Sequence, residues 1–521
     1  MAENDNDSKT TPVTEQTPVT EQTPNETAGN GDSSQHDKRN ILRGILSFLP
    51  RLWGNWVSLT GTAITTVSAC TIILALAAQA VSETTSPYTS ALAFLVIPAM
   101  FIFGLLLIPL GLWFESRRKA VLPDPIQAAF RAAVSDRRAR RRIVFFATVS
   151  FINIVIVGAA GHSALVFMDS TAFCGKLCHS VMEPEYNAYL RSPHSRIKCV
   201  ECHIGSGASW AVKSKISGLR QVWAVLSGSY HRPIPSPVKE LRPARDTCEQ
   251  CHWPAKFHGN RVAFFRHFGT DRENTPKVTA LLLKVGGADA RGRYHGIHWH
   301  VSPDVQVRYQ ALDDKRERIG KITRLEKGKV VAEFAPGEPG TPAVAEERVM
   351  DCVDCHNRPT HAYDGSAEAA VDKALASGAL DRGVPFLREV TVGLLKNEAT
   401  DREHAAEIFA RAMKTIYTQQ HKEVSLTPET INSQAQALAE IYRRNIYPAM
   451  KIGWDTYSNH LGHRGDEEDK RGCFRCHDDK HATKDGKTIS QDCDLCHEIL
   501  AEDEKPADLP ESLQGLAQLT E

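Results

Sequence analysis

Six times in the second two-thirds of this 521-residue chain, two cysteines stand close together with a histidine directly after the second. Five follow the spacing C-x-x-C-H: Cys199/Cys202/His203, Cys248/Cys251/His252, Cys352/Cys355/His356, Cys473/Cys476/His477 and Cys493/Cys496/His497. The remaining one, Cys174/Cys178/His179, carries an extra residue between its cysteines. The triplet is the attachment pattern of covalent c-type haem: two sulfurs become thioethers to the porphyrin edge, and the adjacent histidine is delivered to the iron. Zinc knuckles also pair cysteines, but a tetrahedral site needs four protein ligands at fairly regular separation and no histidine after each pair. A disulfide scaffold predicts a much shorter chain without that companion. Twelve of the 13 cysteines are used in this way, and the last, Cys70, sits in an apolar run. The expected cofactor is therefore six covalent haem c groups, which with their propionates make the mature surface more acidic than the sequence.

The 62 basic and 62 acidic side chains balance, so nothing favours a nucleic-acid partner. Residues 1–40 are rich in Thr, Glu, Asn and Pro and repeat TPVTEQ at 11–16 and 17–22, which reads as a disordered tail.

Residues 41–168 read as a membrane domain. Val57–Val81 contains no charged residue, and as a helix it reaches far enough to cross a bilayer; Ala91–Phe114 and Ile143–Met168 behave likewise. The first apolar run starts too far from the N-terminus and is too long for a cleaved signal peptide. Lys38, Arg39, Arg43 and Arg51 precede the first run and nine arginines and lysines fill 117–142, whereas 82–90 has none. Positive-inside logic puts the N-terminus and the Arg-rich loop in the cytoplasm and everything after the third run outside. All six triplets then lie on the periplasmic face of a bacterial inner membrane.

In the external half, 169–265 packs three triplets with little room for a hydrophobic core, so stacked haems are expected to replace one. Residues 266–350 alternate in strand fashion, for instance VQVRYQAL at 305–312, with a turn expected at Lys327-Gly328: a small β-rich insertion. Residues 351–497 carry three more triplets with helical periodicity between them, as in REHAAEIFARAMKTIY at 402–417. The acidic tail 498–521 is expected to be mobile. The fold class is thus mostly α: three transmembrane helices, then a haem-packed multihaem cytochrome c module with a β-rich insertion.

A haem with two axial protein ligands is closed to substrate and suited to electron transfer. Six of the 21 histidines are proximal, and the excess points to mostly bis-histidine sites. Distal candidates near triplets are His194, His258, His361, His463 and His481, with His295, His298 and His300 in YHGIHWH. Their pairing does not follow from the order of the chain. Met182, three residues past His179, is either a thioether ligand or a packing residue. His162, near the outer end of the third run, could ligate iron, accept a proton from quinol or sit at headgroup level.

FCGKLCHSVMEPEYNAY after a span, then SPHSRIKCVECH, SWAVKSKISGLRQVWAV and RPARDTCEQCHWP, together resemble the NapC/NirT family of membrane-anchored multihaem quinol dehydrogenases. The resemblance implies a first haem at the membrane surface beside a quinol pocket, with Met182 as a ligand and Lys213, Lys215 and Arg220 contributing to the pocket or to iron. Glu183 and Glu185 are added as proton acceptors by their closeness to the first triplet. Family members commonly have one span and four haems, so the three spans, the widened first triplet and three further haems are departures. The layout looks more like the larger inner-membrane cytochromes of metal-respiring bacteria. The expectation is a quinol:cytochrome electron-transfer protein that feeds periplasmic redox partners. Its rivals are a periplasm-facing reductase of nitrite or hydroxylamine, and a docking cytochrome with no quinone site of its own. The lack of a C-x-x-C-K site counts against the reductase.

Overall fold

The computed structural model describes residues 55–81, 92–118, 137–204, 208–238, 241–253, 256, 259–289, 291–337, 346–397, 401–463 and 471–519. The tail 1–40, the basic residues before the first apolar run, the loop 82–90, most of the Arg-rich loop and His258 lie outside these residues. The chain divides into two compact units, with the boundary in the third long helix between Ala160 and Gly161.

The first unit contains α1 (Trp56–Val81), α2 (Ile97–Arg118, preceded by a π turn Leu92–Val96) and the first part of α3 (Arg137–Met168). Small residues bring α1 against α2: a Cβ on Gly61 would lie 2.8 Å from the Gly104 carbonyl, and one on Gly104 2.6 Å from Thr65 Oγ1. Buried Ser58 donates to the Ile108 carbonyl at 3.1 Å, which satisfies its hydroxyl without water. Ile72, Phe101 and Ala160 form the buried centre. Trp56–Ala77 and Ala147–Met168, 22 residues each, are long and apolar enough to cross a membrane. At 1.5 Å per residue each spans about 33 Å. The apolar part of α2, Ile97–Gly111, is shorter than the expected span 91–114.

The second unit begins with α4 (Thr171–Lys176), α5 (His179–Leu190) and α6 (Ala208–Ser227). Four amphipathic helices, α7 (Ala367–Ala376), α8 (Leu387–Lys396), α9 (Ala405–Gln419) and α10 (Pro428–Asn445), build its largest core around Leu387, Leu395, Phe409, Met413, Leu438 and Tyr442. Local signals start them. Ser366 caps α7 by accepting from Ala369 N–H, and Thr427 caps α10 with Pro428 in the first turn.

Strands β5 (Val305–Ala311), β6 (Ile319–Glu326), β7 (Lys329–Phe334) and β8 (Glu346–Val349) form an antiparallel sheet ordered β7-β6-β5-β8. Val305, Val307, Tyr309 and Ala311 alternate inward along β5. Lys327 and Gly328, with φ of 47° and 78°, close the β6–β7 hairpin, the two-residue geometry that asks for positive φ. A minimal hairpin, β3 (Gly287–Ala288) and β4 (Tyr294–His295), lies between this sheet and a second one.

That second sheet corrects two expectations. It contains β1 (Arg261–Phe268), β2 (Pro276–Leu283) and β9 (His497–Glu504), ordered β1-β2-β9. The β-structure therefore starts before 266 and is completed from beyond the last triplet, and the segment after 498 is not a loose tail. Backbone pairing holds β9 on β2, and Leu509 with Leu513 of α11 (Glu511–Leu519) packs on Val278 and Ala280. The acidic side chains of β9 are largely exposed, so the charge that suggests mobility is carried on the solvent side of a paired strand. Residues of the 169–265 stretch share a small apolar core with a distant segment: Val181 packs with Tyr447, Met450 and Ile452, joined by Val225, Tyr230 and Ile234.

Candidate haem sites and the first-site environment

The triplets sit on single turns. One-turn helices span Cys199–His203 and Cys352–Cys355, and 3-10 turns span Gly472–Arg475 and Cys493–Leu495. The histidine N–H donates to the first cysteine's carbonyl at His252 (2.7 Å), His356 (2.8 Å) and His477 (3.0 Å). In such a turn residues i, i+3 and i+4 share a face, so both sulfurs and the imidazole are presented together. Asp351 and Asp354 add a capping box to the fourth triplet. In the widened first triplet Cys174 lies in α4, which is capped by Ser170, while Cys178 precedes α5. A Cβ on Gly175 would meet the Tyr186 ring at 2.1 Å, so only glycine fits between those cysteines.

Four triplet histidines each have another histidine ring close by. The ring centres of His203 and His361 are 6.2 Å apart, His252 and His194 6.0 Å, His477 and His300 5.9 Å, and His497 and His463 6.1 Å. A metal held between two imidazole nitrogens by bonds of about 2.0–2.1 Å puts the ring centres about 6 Å apart. His298 and His252 both act electrostatically on His356. The Nδ1 atoms of His361, His300, His298 and His477 donate to the carbonyls of Glu185 (3.0 Å), Ile297 (2.8 Å), Val285 (3.1 Å) and Ser490 (2.8 Å). That commits Nδ1 as the donor and leaves the Nε2 lone pair for a metal. Burial holds His298, His300, His356 and His361 below the ordinary histidine range, keeping them neutral as ligation requires. No described cysteine is in a disulfide, and no described cluster has the make-up of a conventional His/Cys/Asp/Glu metal site. The donor set suits haem.

Neighbouring triplets act on one another electrostatically in chain order. Cys174 lies against Cys199, the contact raising the first thiol and lowering the second. Cys248 and Cys352 are coupled in the same manner, the former lowered and the latter raised. Cys202 feels Cys248 and Cys251, and Cys473 acts on both Cys355 and Cys496. Successive triplets are therefore within electrostatic reach of one another in chain order.

Among the remaining candidates, Met182 is half-buried, its N–H donating to the Cys178 carbonyl at 2.9 Å. Lys215 approaches Asp169 at 3.9 Å, and both act electrostatically on Cys174. Lys213 and Arg220 are exposed on α6, and His162 is exposed on α3. Glu183 pairs with Arg402 at 3.2 Å. Glu185, expected as an open proton acceptor, is instead buried, with both carboxylate oxygens taken by Arg358 (2.8 and 2.7 Å) beside His361. His481, expected as a distal ligand, has both ring nitrogens engaged, with Asp478 at 3.0 Å and the Gly320 carbonyl at 3.1 Å, which leaves none for iron. His295 is exposed.

Sequence reasoning missed the buried group around Asp354, where Tyr309 donates to the carboxylate and Arg316 stands at 3.6 Å. Arg475 donates to the Arg316 and Asp354 carbonyls at 2.7 and 2.6 Å. Asp354 and Arg475 are both interior residues of their C-x-x-C pairs, which was the only available signal.

Residues 137–234 match the NapC/NirT cytochrome c family, N-terminal region. Over 466 residues, 88% of this chain and 90% of the other, the sequence is 42% identical to the cytochrome c-type protein ImcH of Geobacter sulfurreducens. The chain is a NapC/NirT-type membrane cytochrome. No solved structure matches it. A c-type cytochrome of this family carries covalently bound haem c, and the triplet cysteines with the nearby histidines are residues that fit it. The two long apolar helices fit its membrane anchor.

Proposed function

We propose that this cytochrome oxidises quinol beside its first triplet and passes electrons through six haem sites in chain order to a redox partner outside the inner membrane. In this reading three segments span the membrane with the N-terminus in the cytoplasm, and every triplet lies on the periplasmic side. The observation that carries it is the position of the first triplet, just beyond a membrane-length helix. Sites two, three, five and six each bring a second histidine near the proximal one, an arrangement suited to electron transfer, and at the fourth His298 acts on His356 electrostatically. The first triplet begins at Cys174, six residues after Met168, the end of a membrane-length helix. Met182 is its axial candidate.

Bound haem supplies a one-electron redox couple at each site. The chain's own groups do the rest at the first site. The Asp169–Lys215 pair offers a proton acceptor and a cation next to Cys174, where a quinol hydroxyl would dock. Lys213 and Arg220 line the same helix. Glu183, half-exposed on Arg402, remains available for proton release, whereas Glu185 serves as the anchor of His361.

The test is anaerobic reduction of purified full-length protein by a menaquinol analogue, followed by haem absorbance. Wild type should be reduced, and Lys215→Met should slow reduction about tenfold or more while dithionite reduction stays complete. If quinol fails to reduce the wild type, the reading is wrong. A high-spin ferric signal from any of sites two to six would instead favour a reductase with an open haem.

A further inference from the structure

Helix α6 presents an unusual face. Ile216, Leu219, Val222, Trp223 and Leu226 are 65%, 72%, 50%, 70% and 78% exposed. At 100° per residue they fall within a 120° arc, one continuous apolar stripe. A different side of the helix is already used: Val225 packs inward with Val181, Tyr447, Met450 and Ile452. The stripe is therefore not the helix's own core face left bare. Soluble surfaces seldom leave so many large apolar groups contiguous.

Two observations say what covers it. Lys215, near the start of α6, pairs with Asp169, the residue directly after the membrane-length helix Ala147–Met168, so α6 is tied to the point where the chain leaves the bilayer. Its charges are also one-sided: the helix contains Lys213, Lys215 and Arg220 and no acidic residue. An apolar arc with a basic rim and a tryptophan on the arc is the composition of a helix lying in a membrane interface, its cations among anionic headgroups.

We propose that α6 lies in the outer-facing interface of the bilayer its own chain crosses, with the Ile216–Leu226 stripe immersed among acyl chains and Lys213 and Arg220 at headgroup level. The inference rests on the membrane anchor and not on the quinol reading, and it holds whether or not quinol is the substrate.

The test uses full-length, haem-loaded protein in bilayer discs of phosphatidylethanolamine and phosphatidylglycerol. Photoreactive p-benzoylphenylalanine is placed at Leu219, at Leu226 or, as an off-arc control, at exposed Gln221, and adducts are read by mass spectrometry. Lipid adducts at Leu219 and Leu226 several-fold above Gln221 are expected. Adducts to a second copy or to another protein, equal labelling at all three positions, or none at all would overturn the proposal. Hydroxyl-radical footprinting of the unsubstituted protein gives an answer that no folding defect can blur. Trp223 should oxidise several-fold more slowly than Trp253, although its ring is the more exposed in the protein alone, at 70% against 41%. Equal or faster oxidation of Trp223 would refute lipid cover.

Discussion

His361 is held from both sides of its Nδ1: the Glu185 carbonyl accepts at 3.0 Å and a carboxylate oxygen of the same residue lies at 3.3 Å. Arg358 fixes that carboxylate bidentately while its guanidinium rests 3.9 Å from the Tyr457 ring centre. A negative group behind an axial imidazole favours the oxidised, more positive site. Glu185→Gln removes that charge and should raise the midpoint potential of the second haem by on the order of 60 mV, a tenfold change in a one-electron equilibrium. A spectroelectrochemical titration reads it, and unchanged potentials would mean the carboxylate only packs. Arg358→Met removes the bidentate partner of a buried carboxylate and should cost about 3–5 kcal/mol in denaturant unfolding. His460 carries a pH effect. Burial first, then the charges of Arg475 and Arg316, push its pKa down to about 3. Between that value and about 6.5 the unfolded chain binds a proton that the folded chain refuses, so this stability is complete above pH 6.5 and is lost as pH falls, at up to about 1.4 kcal/mol per unit. His460→Gln should flatten the acid side of the stability curve; parallel curves for the two proteins would exclude the effect.

Among the elements, the C-terminal strand and helix make the clearest stability claim. Leu509, 3% exposed, and Leu513 close the core over Val278 and Ala280, and His497 of the sixth triplet is the first residue of β9. Leu509→Ala should cost about 2–5 kcal/mol, felt locally as faster proteolysis of 498–519 and as a disturbed sixth-site spectrum. Wild-type protease resistance in that variant would show that backbone pairing alone holds the segment. The same element marks what could be read in advance. HEILAEDE looks like tail because its acidic side chains face solvent, and its pairing with β2 rests on backbone groups that composition does not report. The Lys327-Gly328 turn and the helices 405–419 and 428–445 were legible because local chemistry decides them. At the sites, the triplets declare the attachment residues outright, and surplus histidines announce that distal ligands exist. They cannot reveal that His300 meets His477 or His361 meets His203, contacts made only by folding. Nor can nearness in sequence separate His481, fastened at both nitrogens, from His463, which faces His497.

Across the whole molecule, thiols of successive triplets act on one another in chain order, Cys174 with Cys199, Cys202 with Cys248, Cys248 with Cys352, and Cys473 with both Cys355 and Cys496, which supports the proposed route from the first site to the last. A single-file route predicts position-dependent consequences that a branched cluster would not show. On the proposed route His298, which acts electrostatically on His356, is the second ligand at the fourth site. Replacing it by methionine keeps an axial donor but raises that site's potential, because a thioether favours the reduced iron. Each 59 mV of added uphill step beyond the fourth site lowers onward equilibrium transfer tenfold. In stopped-flow reduction by quinol, His298→Met should therefore leave the fast phase of sites one to three at the wild-type rate. The phase that fills sites five and six should slow by about tenfold or more, and transfer to an added soluble acceptor should fall with it. The equivalent change at the far end, His463→Met, should leave the filling of the first five sites untouched, since its pair with His497 is the last in line. If both substitutions slowed all phases equally, or if His298→Met left the late phase intact, electrons would be taking a path around the fourth site and the single-file order would fail.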